Sequence, residues 1–477
     1  MTPPLEELKK IRLQKLAEIK KLGIDPYPAK TSRKQSIIKA ITMMGKSVMV
    51  AGRITGIRGH GGIQFFDLTD ESGKIQLVFK KDELKAKDQQ LLALLDIGDF
   101  IEVWGKVFKT KAGEVSVSVG FLKLLTKSIR PLPSVWHGLK DIEERYRQRY
   151  VDLVVNPEVK KIFYLRTKVL RAVREFLDSQ GFLEVETPIL QPMYGGASAR
   201  PFVTHHNTLN CDLYLRISDE LYLKRLIVGG FEKVYEVSKD FRNEGIDRAH
   251  NPEFTQVEFY WAYADYEDLM KLTEELIAKI LKNDLGDIKI NFKFPIPRIT
   301  FRDLLLKEVG IDIDKIDSEK ALLSEIKKRK IMIDLKGVVG LGGIFDKLYK
   351  ERIRPKIIEP TFVLDYPASM IALAKRKEEN PGQIASFQLL ANGFELIKAY
   401  NELNDPIDQK ERWLETEKLS KKGDEAAERL DEDYIRALEY GMPPTAGWGM
   451  GIDRFVSVLA SLPIKEVILF PTLKPEK

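Results

Sequence analysis

The spacing of hydrophobic positions changes several times along the chain. Residues 5–22 carry Leu5, Leu8, Ile11, Leu16 and Ile19 at helical spacing, with Lys9, Lys10, Arg12, Lys15, Lys20 and Lys21 among them. This predicts a basic amphipathic helix that either meets RNA phosphates or packs on a neighbour. After Pro26 and Pro28 the pattern turns to strands. Segments 48–57, 63–70, 74–79, 99–108 and 114–125 are rich in β-branched and aromatic residues, and Gly59, Gly61–Gly62, Ser72–Gly73 and Ala112–Gly113 separate them. Five strands are expected there, with a helix over 82–97 between the third and fourth. Beyond a proline-bearing stretch at 127–140, helices are expected over 161–181, 220–230 and 265–281. Strands are expected over 182–188, 213–218, 233–241 and 252–264. Residues 300–357 predict a Lys-rich helical insertion, followed by strand-like segments at 361–368 and 394–405. A charged helical segment spans 408–441, and a Gly-rich element runs into a helix over 447–460.

Three strands, a helix and two strands within about 80 residues predict a five-stranded OB β-barrel. Such barrels take single-stranded nucleic acid on the face of their second and third strands. Phe65, Phe66 and Gln76 fall on those strands, and alternation turns one of the two Phe outward as a stacking ring. Charge agrees with this. Residues 1–130 hold 24 Lys and Arg against 14 Asp and Glu, while the remainder holds 53 against 57. A basic first quarter on a slightly acidic body suits a polyanion-binding module beside something else. At 477 residues, 44% hydrophobic and 31% charged, the chain is globular and long enough for two or three domains. No window reaches the roughly 18 apolar residues of a membrane span, and the N-terminus lacks the apolar core of a secretory signal. The single cysteine, Cys211, excludes an intramolecular disulfide and a cysteine-based zinc site. A cytoplasmic protein is expected.

Two elements suggest nucleotide handling. Arg242 and Glu244 are two apart and expected on one face of a strand before a loop, with His250 and Phe254 opening the returning strand. A permanently charged, forked guanidinium suits an α-phosphate, and Phe254 offers a face to a purine. Gly447, Gly449 and Gly451 alternate ahead of Arg454. Alternate glycines on a strand clear one face for a flat ligand, which Arg454 can cover by cation–π stacking. The spacing departs from the dinucleotide fingerprint and no Walker loop occurs, which excludes both of those nucleotide folds. His205–His206 lacks a regular third metal ligand, and Cys211 has no partner.

Together these residues carry a resemblance. Residues 161–188 resemble motif 1 of class II aminoacyl-tRNA synthetases, Arg242 to Phe254 resemble motif 2, and Gly447 to Arg454 resemble motif 3. Segments RYRQRYVDL (145–153), GGASARPF (195–202), ELYLKRL (220–226), FRNEG (241–245), HNPEF (250–254), ELNDP (402–406), ALEYGMPPTAG (437–447) and GIDR (451–454) are similar to class II lysyl-tRNA synthetases. The similarity runs along nearly the whole chain. It implies an α/β multidomain fold: residues 1–46 as helix and loop, an OB-fold anticodon-binding domain at 47–126, a linker at 127–145, and a class II catalytic domain at 146–477. The catalytic domain is expected as an antiparallel sheet flanked by helices, with the insertion near 300–357, and motif 1 implies a homodimer.

The resemblance further implies ATP-dependent ligation of L-lysine to tRNA(Lys) through a lysyl-adenylate, with Mg²⁺. Arg242 and Arg454 become the catalytic residues. Glu244, His250, Asn251, Phe254, Glu395 and Gly451 join them around ATP. Gly196, Glu220, Arg242, Glu258, Tyr260, Tyr400 and Glu402 surround lysine, and Arg53, Phe65, Gln76 and Glu114 read the anticodon. Departures stand beside the matches. The family's two acidic metal positions are Glu395 and Gln388 here, Lys398 replaces a usual Asn, Ile371–Ala372 replace Ser-Pro, and the motif 2 loop carries Arg248–Ala249. Two other readings stay open: a non-catalytic RNA-binding paralogue, and a lysyl transferase acting on a protein.

Overall fold

In the computed structural model residues 4–59, 62–133, 139–247, 250–286, 288–420 and 429–476 are described. The chain divides into two compact units, Met1–Lys140 and Asp141–Lys477. Sequence features placed on Gly61, on residues 134–138 of the linker, on Arg248–Ala249 and on residues 421–428 lie outside the described residues.

In the first unit β1 (Ser47–Arg58), β2 (Ile63–Asp70), β3 (Gly73–Lys80), β4 (Phe100–Lys109) and β5 (Val115–Thr126) close into a barrel of order β1-β2-β3-β5-β4. Among the described residues of the barrel, β3 and β5 pair in parallel and the other neighbours antiparallel. Alternation sends Val50, Ile54, Leu68, Leu77, Ile101 and Val103 into the barrel core. Phe66 joins them, its ring centroid 4.9 Å from that of Phe79, while Phe65 lies half-buried on the opposite face. The helix Leu5–Lys21 packs through a line rotated from the apolar count. Arg12 and Ile19 are buried, whereas Leu5 and Ile11 are exposed. The reason is polar: Arg12 donates to the Ile97 carbonyl at 2.9 Å and to Ser128 O at 3.0 Å, and Lys15 pairs with Asp96 at 2.6 Å. The helix expected at 82–97 is shorter, Ala86–Leu94 after a 3₁₀ turn. Asp96 and Asp99 instead converge on the buried ammonium of Lys127 at 2.6 and 2.8 Å. That pins residues 95–99 as a turn.

The second unit contains β6 (Leu183–Glu184), β7 (Leu190–Gln191), β8 (Val203–His206), β9 (Cys211–Leu215), β10 (Lys233–Phe241) and β11 (Glu253–Ala262). It continues with β12 (Arg298–Thr300), β13 (Thr361–Leu364), β14 (Ser386–Ala391), β15 (Phe394–Asn401) and β16 (Thr445–Gly451). Eight of these form one sheet, β12-β13-β14-β15-β16-β11-β10-β6, and β7-β9-β8 form a small one. The expected antiparallel sheet needs a correction at its margins. Its six central strands are antiparallel, but β12 pairs with β13, and β6 with β10, in parallel.

One face of the large sheet is closed by helices Lys160–Ser179, Tyr266–Leu281 and Ile452–Ala460, through Val169, Val173, Leu276 and Phe455 against Phe259, Leu389, Trp448 and Met450. The other face carries helix Glu220–Val228 and the insertion helices Phe301–Val309, Glu319–Lys328 and Gly340–Leu348. Strand β14 gave no sequence signal because every residue of it is buried, so its pattern lacks the alternation of a half-exposed strand. The charged segment at 408–441 forms helices Pro406–Ser420 and Glu432–Glu439.

Candidate active site

Strand register builds the floor of a site on the second face of the sheet. One cross-strand row runs Glu236, Glu258, Gly449, Lys398, Gln388 from β10 through β11, β16 and β15 to β14. The next row on that face runs Val234, Tyr260, Gly447, Tyr400, Ser386. Period two puts both rows on one side. Gly449 leaves floor between Glu258 on one flank and Lys398 on the other, while Gly447 stands between Tyr260 and Tyr400. Gly447 is obligatory for a nearer reason than a flat ligand: a Cβ there would strike the Glu402 carboxylate and stand 2.5 Å from the Tyr260 ring. At Gly449 a Cβ would meet Glu258 Cγ at 3.5 Å and Gln256 Nε2 at 3.6 Å, ordinary contacts.

Three buried carboxylates converge above this floor. Glu220 opens helix Glu220–Val228, Glu258 rises from β11, and Glu402 follows β15. Tyr400 donates to Glu220 at 2.7 Å and Tyr260 to Glu258 at 3.3 Å. Ser218 Oγ approaches Glu258 at 3.4 Å, and Gln256 donates to the same oxygen. Gly196 closes one side at φ 81°, where a side chain would crowd Glu220 Cβ and Ser218 Oγ at 3.1 Å.

Burial, reinforced by the Glu220 charge, pushes the Glu258 carboxyl up to about 8. Burial also raises Glu402, against the pull of Lys224. The same burial keeps the hydroxyls of Tyr260 and Tyr400 protonated, hence donors. An internal cation sits among these carboxyls. Lys224, fully buried, pairs with Glu220 at 2.7 Å and with Glu402. Burial works against its charge, yet the two carboxylates outweigh it and hold the ammonium protonated. Sequence reasoning passed over Lys224. Its only signal was the Glu220–Lys224 spacing of four, which surface helices show as well. Three carboxyls share one ammonium, two of them held toward their protonated forms by burial, and one Glu402 oxygen has no hydrogen-bond partner, so full ionisation of the trio needs further positive charge. Buried anions of this kind require a cationic ligand.

The anion-handling residues lie around this pocket. Arg242 sits just past the end of β10 rather than on it. Its guanidinium reaches Ile217 O at 3.4 Å and lies 4.9 Å over the Phe254 ring on β11. Glu244 is exposed in the loop that follows. His250, also exposed, is held by Asp247 at 2.9 Å. Both ends of the Asn251 amide are engaged by backbone, at Glu253 O and the Thr472 N–H. Gly451 ends β16 and precedes helix Ile452–Ala460. There Asp453 accepts the Thr255 N–H at 2.8 Å and anchors the turn carrying Arg454. Arg454 donates to Glu395 O at 3.0 Å. Burial would raise the Glu395 carboxyl, but Arg454, Lys398, Arg354 and Lys350 together hold it below its ordinary value.

These residues do not make a two-carboxylate metal site. The carbonyl oxygen of Gln388 accepts from Tyr366 at 2.9 Å and Tyr349 at 3.5 Å. Glu395 is left as the single carboxylate of the expected pair, already surrounded by cations. Among the described residues no three His, Cys, Asp or Glu side chains group to hold a metal. His205 pairs with Asp212 on the exposed small sheet instead.

On the barrel of the first unit, register places Phe65 opposite Val78 and Asp67 opposite Gln76. Arg58, opposite Phe65, forks onto Asp67 at 2.8 and 2.9 Å. Gln76 accepts from Ser116 at 2.9 Å. Phe65 and Gln76 thus share one face with Arg58 and Asp67, two residues the sequence did not single out. Arg53, opposite Thr69 farther along that face, stacks 4.2 Å over Phe100, and Glu114 is exposed in the turn before β5.

Two family descriptions match the chain. "tRNA synthetases class II (D, K and N)" covers residues 141–474, and "OB-fold nucleic acid binding domain" covers residues 48–125. The chain belongs to the class II tRNA synthetases. Its similarity to lysine–tRNA ligases extends from end to end. It is 49% identical to that of Pelotomaculum thermopropionicum over 99% of this chain and 96% of the relative. With that of Carboxydothermus hydrogenoformans it shares 48% over 99% of each, and with that of Syntrophomonas wolfei 47% over 99% and 98%.

Proposed function

We propose that this chain ligates lysine to tRNA(Lys) at the expense of ATP, in two steps. The observation that carries the reading is the buried trio Glu220, Glu258 and Glu402 over a glycine floor, an anionic pocket that only a cationic amino acid balances. A synthetase for aspartate or asparagine needs a cation or amide donors at that place. Lysine lies across Gly449 with Tyr400 along its aliphatic stem and the Tyr260 hydroxyl beside its side-chain ammonium. Its α-ammonium meets Gly196 and Glu220, and its side-chain ammonium meets Glu258 and Glu402. Arg242 takes the carboxylate.

A carboxylate oxygen then attacks the α-phosphorus of ATP, the bond to the β-phosphate oxygen breaks, and pyrophosphate leaves. Arg242 and Arg454 neutralise the charge that develops, so the step is one of positioning and electrostatics without a protein base. The Phe254 ring, one face of which carries Arg242, offers the other to adenine. Glu244, His250, Asn251 and Gly451 frame the nucleotide. ATP arrives as its magnesium complex, a substrate. The terminal hydroxyl of tRNA finally attacks the adenylate carbonyl and AMP departs. Phe65, Gln76 and Glu114 face the anticodon, with Arg53 beside them.

The retained barrel disfavours a transferase that modifies protein, and the complete acid pocket with both arginines disfavours a non-catalytic paralogue. Exposed Tyr150, Tyr164, Leu183, Ile189 and Leu190 support a homodimer, and we place the enzyme in the cytoplasm. No described helix is long and apolar enough to cross a membrane.

ATP–pyrophosphate exchange across all twenty amino acids tests the reading. Exchange is expected with lysine alone, and Glu402→Gln is expected to reduce it at least 100-fold, about 2.7 kcal/mol. Silence with lysine would point to a paralogue disabled at Gln388 and Lys398. Exchange with another amino acid would mean that Lys398 has rewritten the pocket.

A further inference from the structure

The floor of the pocket carries a cation that the steps above leave without a task. Lys398 stands on β15 between Gln388 of β14 and Gly449 of β16. Its ammonium lies 5.5 Å over the Tyr400 ring, and among the described residues no carboxylate comes within ion-pair distance of it. Glu395 is three residues away, and simple alternation would put the two side chains on opposite faces. The register of β14 on β15 slips, however: Leu390 pairs with Glu395 but Leu389 with Ile397. Leu396 is the extra residue of a bulge, and it enters the helix-covered core beside Ile397. Glu395 thereby returns to the face of Lys398 and Tyr400.

Glu402, Tyr400, Lys398 and Glu395 thus follow one another across the site. Glu402 belongs to the acidic trio, and Tyr400 lines the stem of the substrate. At the far end Arg454 donates to the Glu395 carbonyl and comes within 4.0 Å of its carboxylate. Lys398 therefore sits between the amino-acid end and the nucleotide end, where the carboxylate and the α-phosphate meet. Its neighbour Gln388 does not fit a metal ion there. The amide oxygen is taken by the hydroxyls of Tyr366 and Tyr349, and the remaining end is an amide nitrogen, which donates hydrogen bonds and is no ligand for Mg²⁺.

We propose that Lys398 is a catalytic residue of lysine activation: its ammonium joins Arg242 on the reacting carboxylate, bridges to an α-phosphate oxygen, and supplies the positive charge that a metal ion held between two carboxylates would supply. The Mg²⁺ that ATP brings is then sufficient. The inference rests on the lysine reading above. A carboxylate oxygen bonds to the α-phosphorus, the bond to the bridging oxygen breaks with its electron pair leaving on pyrophosphate, and Lys398 keeps its protons throughout. An ammonium already fixed beside the oxygens where charge develops needs no reorganisation during the step.

Counting metal ions tests this in the full-length protein without relying on turnover. Mn²⁺ replaces Mg²⁺, L-lysine is saturating, and paramagnetic resonance reports free Mn²⁺ as the non-cleavable analogue α,β-methylene-ATP is added. The analogue should bring about one bound Mn²⁺ per chain, and about two in Gln388→Glu/Lys398→Asn, which restores a second carboxylate and removes the ammonium. Lysine-dependent pyrophosphate exchange should fall at least about 10-fold in Lys398→Asn, mainly in kcat, and Lys398→Arg should retain more of it. Lys398→Gln serves if the Asn variant does not fold, which circular dichroism reports. Two or more Mn²⁺ brought by the analogue to the unmodified chain, or undiminished exchange in a folded Asn or Gln variant, would overturn the proposal while leaving the lysine reading intact. Absence of lysine-dependent exchange in the unmodified chain would remove that reading and the proposal with it, so the two failures are told apart.

Discussion

Lys224 shows how far a single side chain is bound to its surroundings. A buried ammonium paired with two carboxylates gains little net stability when complete, but removing one partner strands the others. Lys224→Met keeps most of the stem and leaves Glu220 and Glu402 without their cation. The cost expected is about 3–5 kcal/mol, read as a lower unfolding midpoint, with a raised KM for lysine in whatever fraction stays folded. An unchanged midpoint would mean that lysine alone neutralises the pocket.

Glu258 adds a pH dependence. Its folded value of about 8 lies above the ordinary 4.5, so between those values the folded chain keeps a proton that the unfolded chain has lost. The stability this group contributes is full below about 4.5 and lost as pH rises through 8, with a slope of at most about 1.4 kcal/mol per pH unit. Unfolding midpoints measured from pH 5 to 8 should fall less steeply in Glu258→Gln. The pocket carboxylates were legible in the sequence because the resemblance fixes them position by position. Lys224 was not, since it reads as half of a helix-surface ion pair.

At the scale of the element, period two did most of the work and also marks where sequence reading stopped. The barrel strands and β10 were visible because each is half-buried and alternates. β14 was invisible because it is buried on both faces, and the parallel margins of the sheet were invisible because pairing direction leaves no trace in a strand's own pattern. The glycines of β16 were recognised but only partly understood. Their alternation predicted a cleared face, whereas the structure shows that the space above Gly447 is claimed by Glu402 and Tyr260. Gly447→Ala should therefore damage lysine activation rather than nucleotide binding. Lysine KM should rise at least 10-fold while ATP KM changes little, as steady-state exchange at varied lysine and varied ATP would show. A loss confined to ATP would return Gly447 to the nucleotide. Arg242 teaches a related lesson: a spacing of two suggested one strand face, but β10 ends at Phe241, and the side chain gains its position from Phe254 across the turn.

For the whole molecule the uneven charge becomes a functional difference between the two units. Most of the excess of 24 cations over 14 anions in residues 1–130 lies in residues 1–46, which hold 11 against 4, and binding of such charges to tRNA phosphates displaces counterions and weakens steeply with salt. The buried acidic pocket of the second unit is the opposite case. Its charges are buried and face one another at hydrogen-bond distance, and added salt screens such pairs little. Aminoacylation and adenylate formation should therefore separate. Between 50 and 200 mM salt the KM for tRNA is expected to rise by at least 10-fold, while lysine-dependent pyrophosphate exchange changes less than about 2-fold. Phe65→Ala should raise the tRNA KM at every salt concentration without altering the slope, because a stacking ring carries no counterion, and should leave exchange untouched. Parallel loss of both activities with salt would show that the pocket is far more open to solvent than its buried carboxylates indicate. A shallower salt slope in Phe65→Ala would mean that the ring positions the neighbouring cation Arg58 rather than a base.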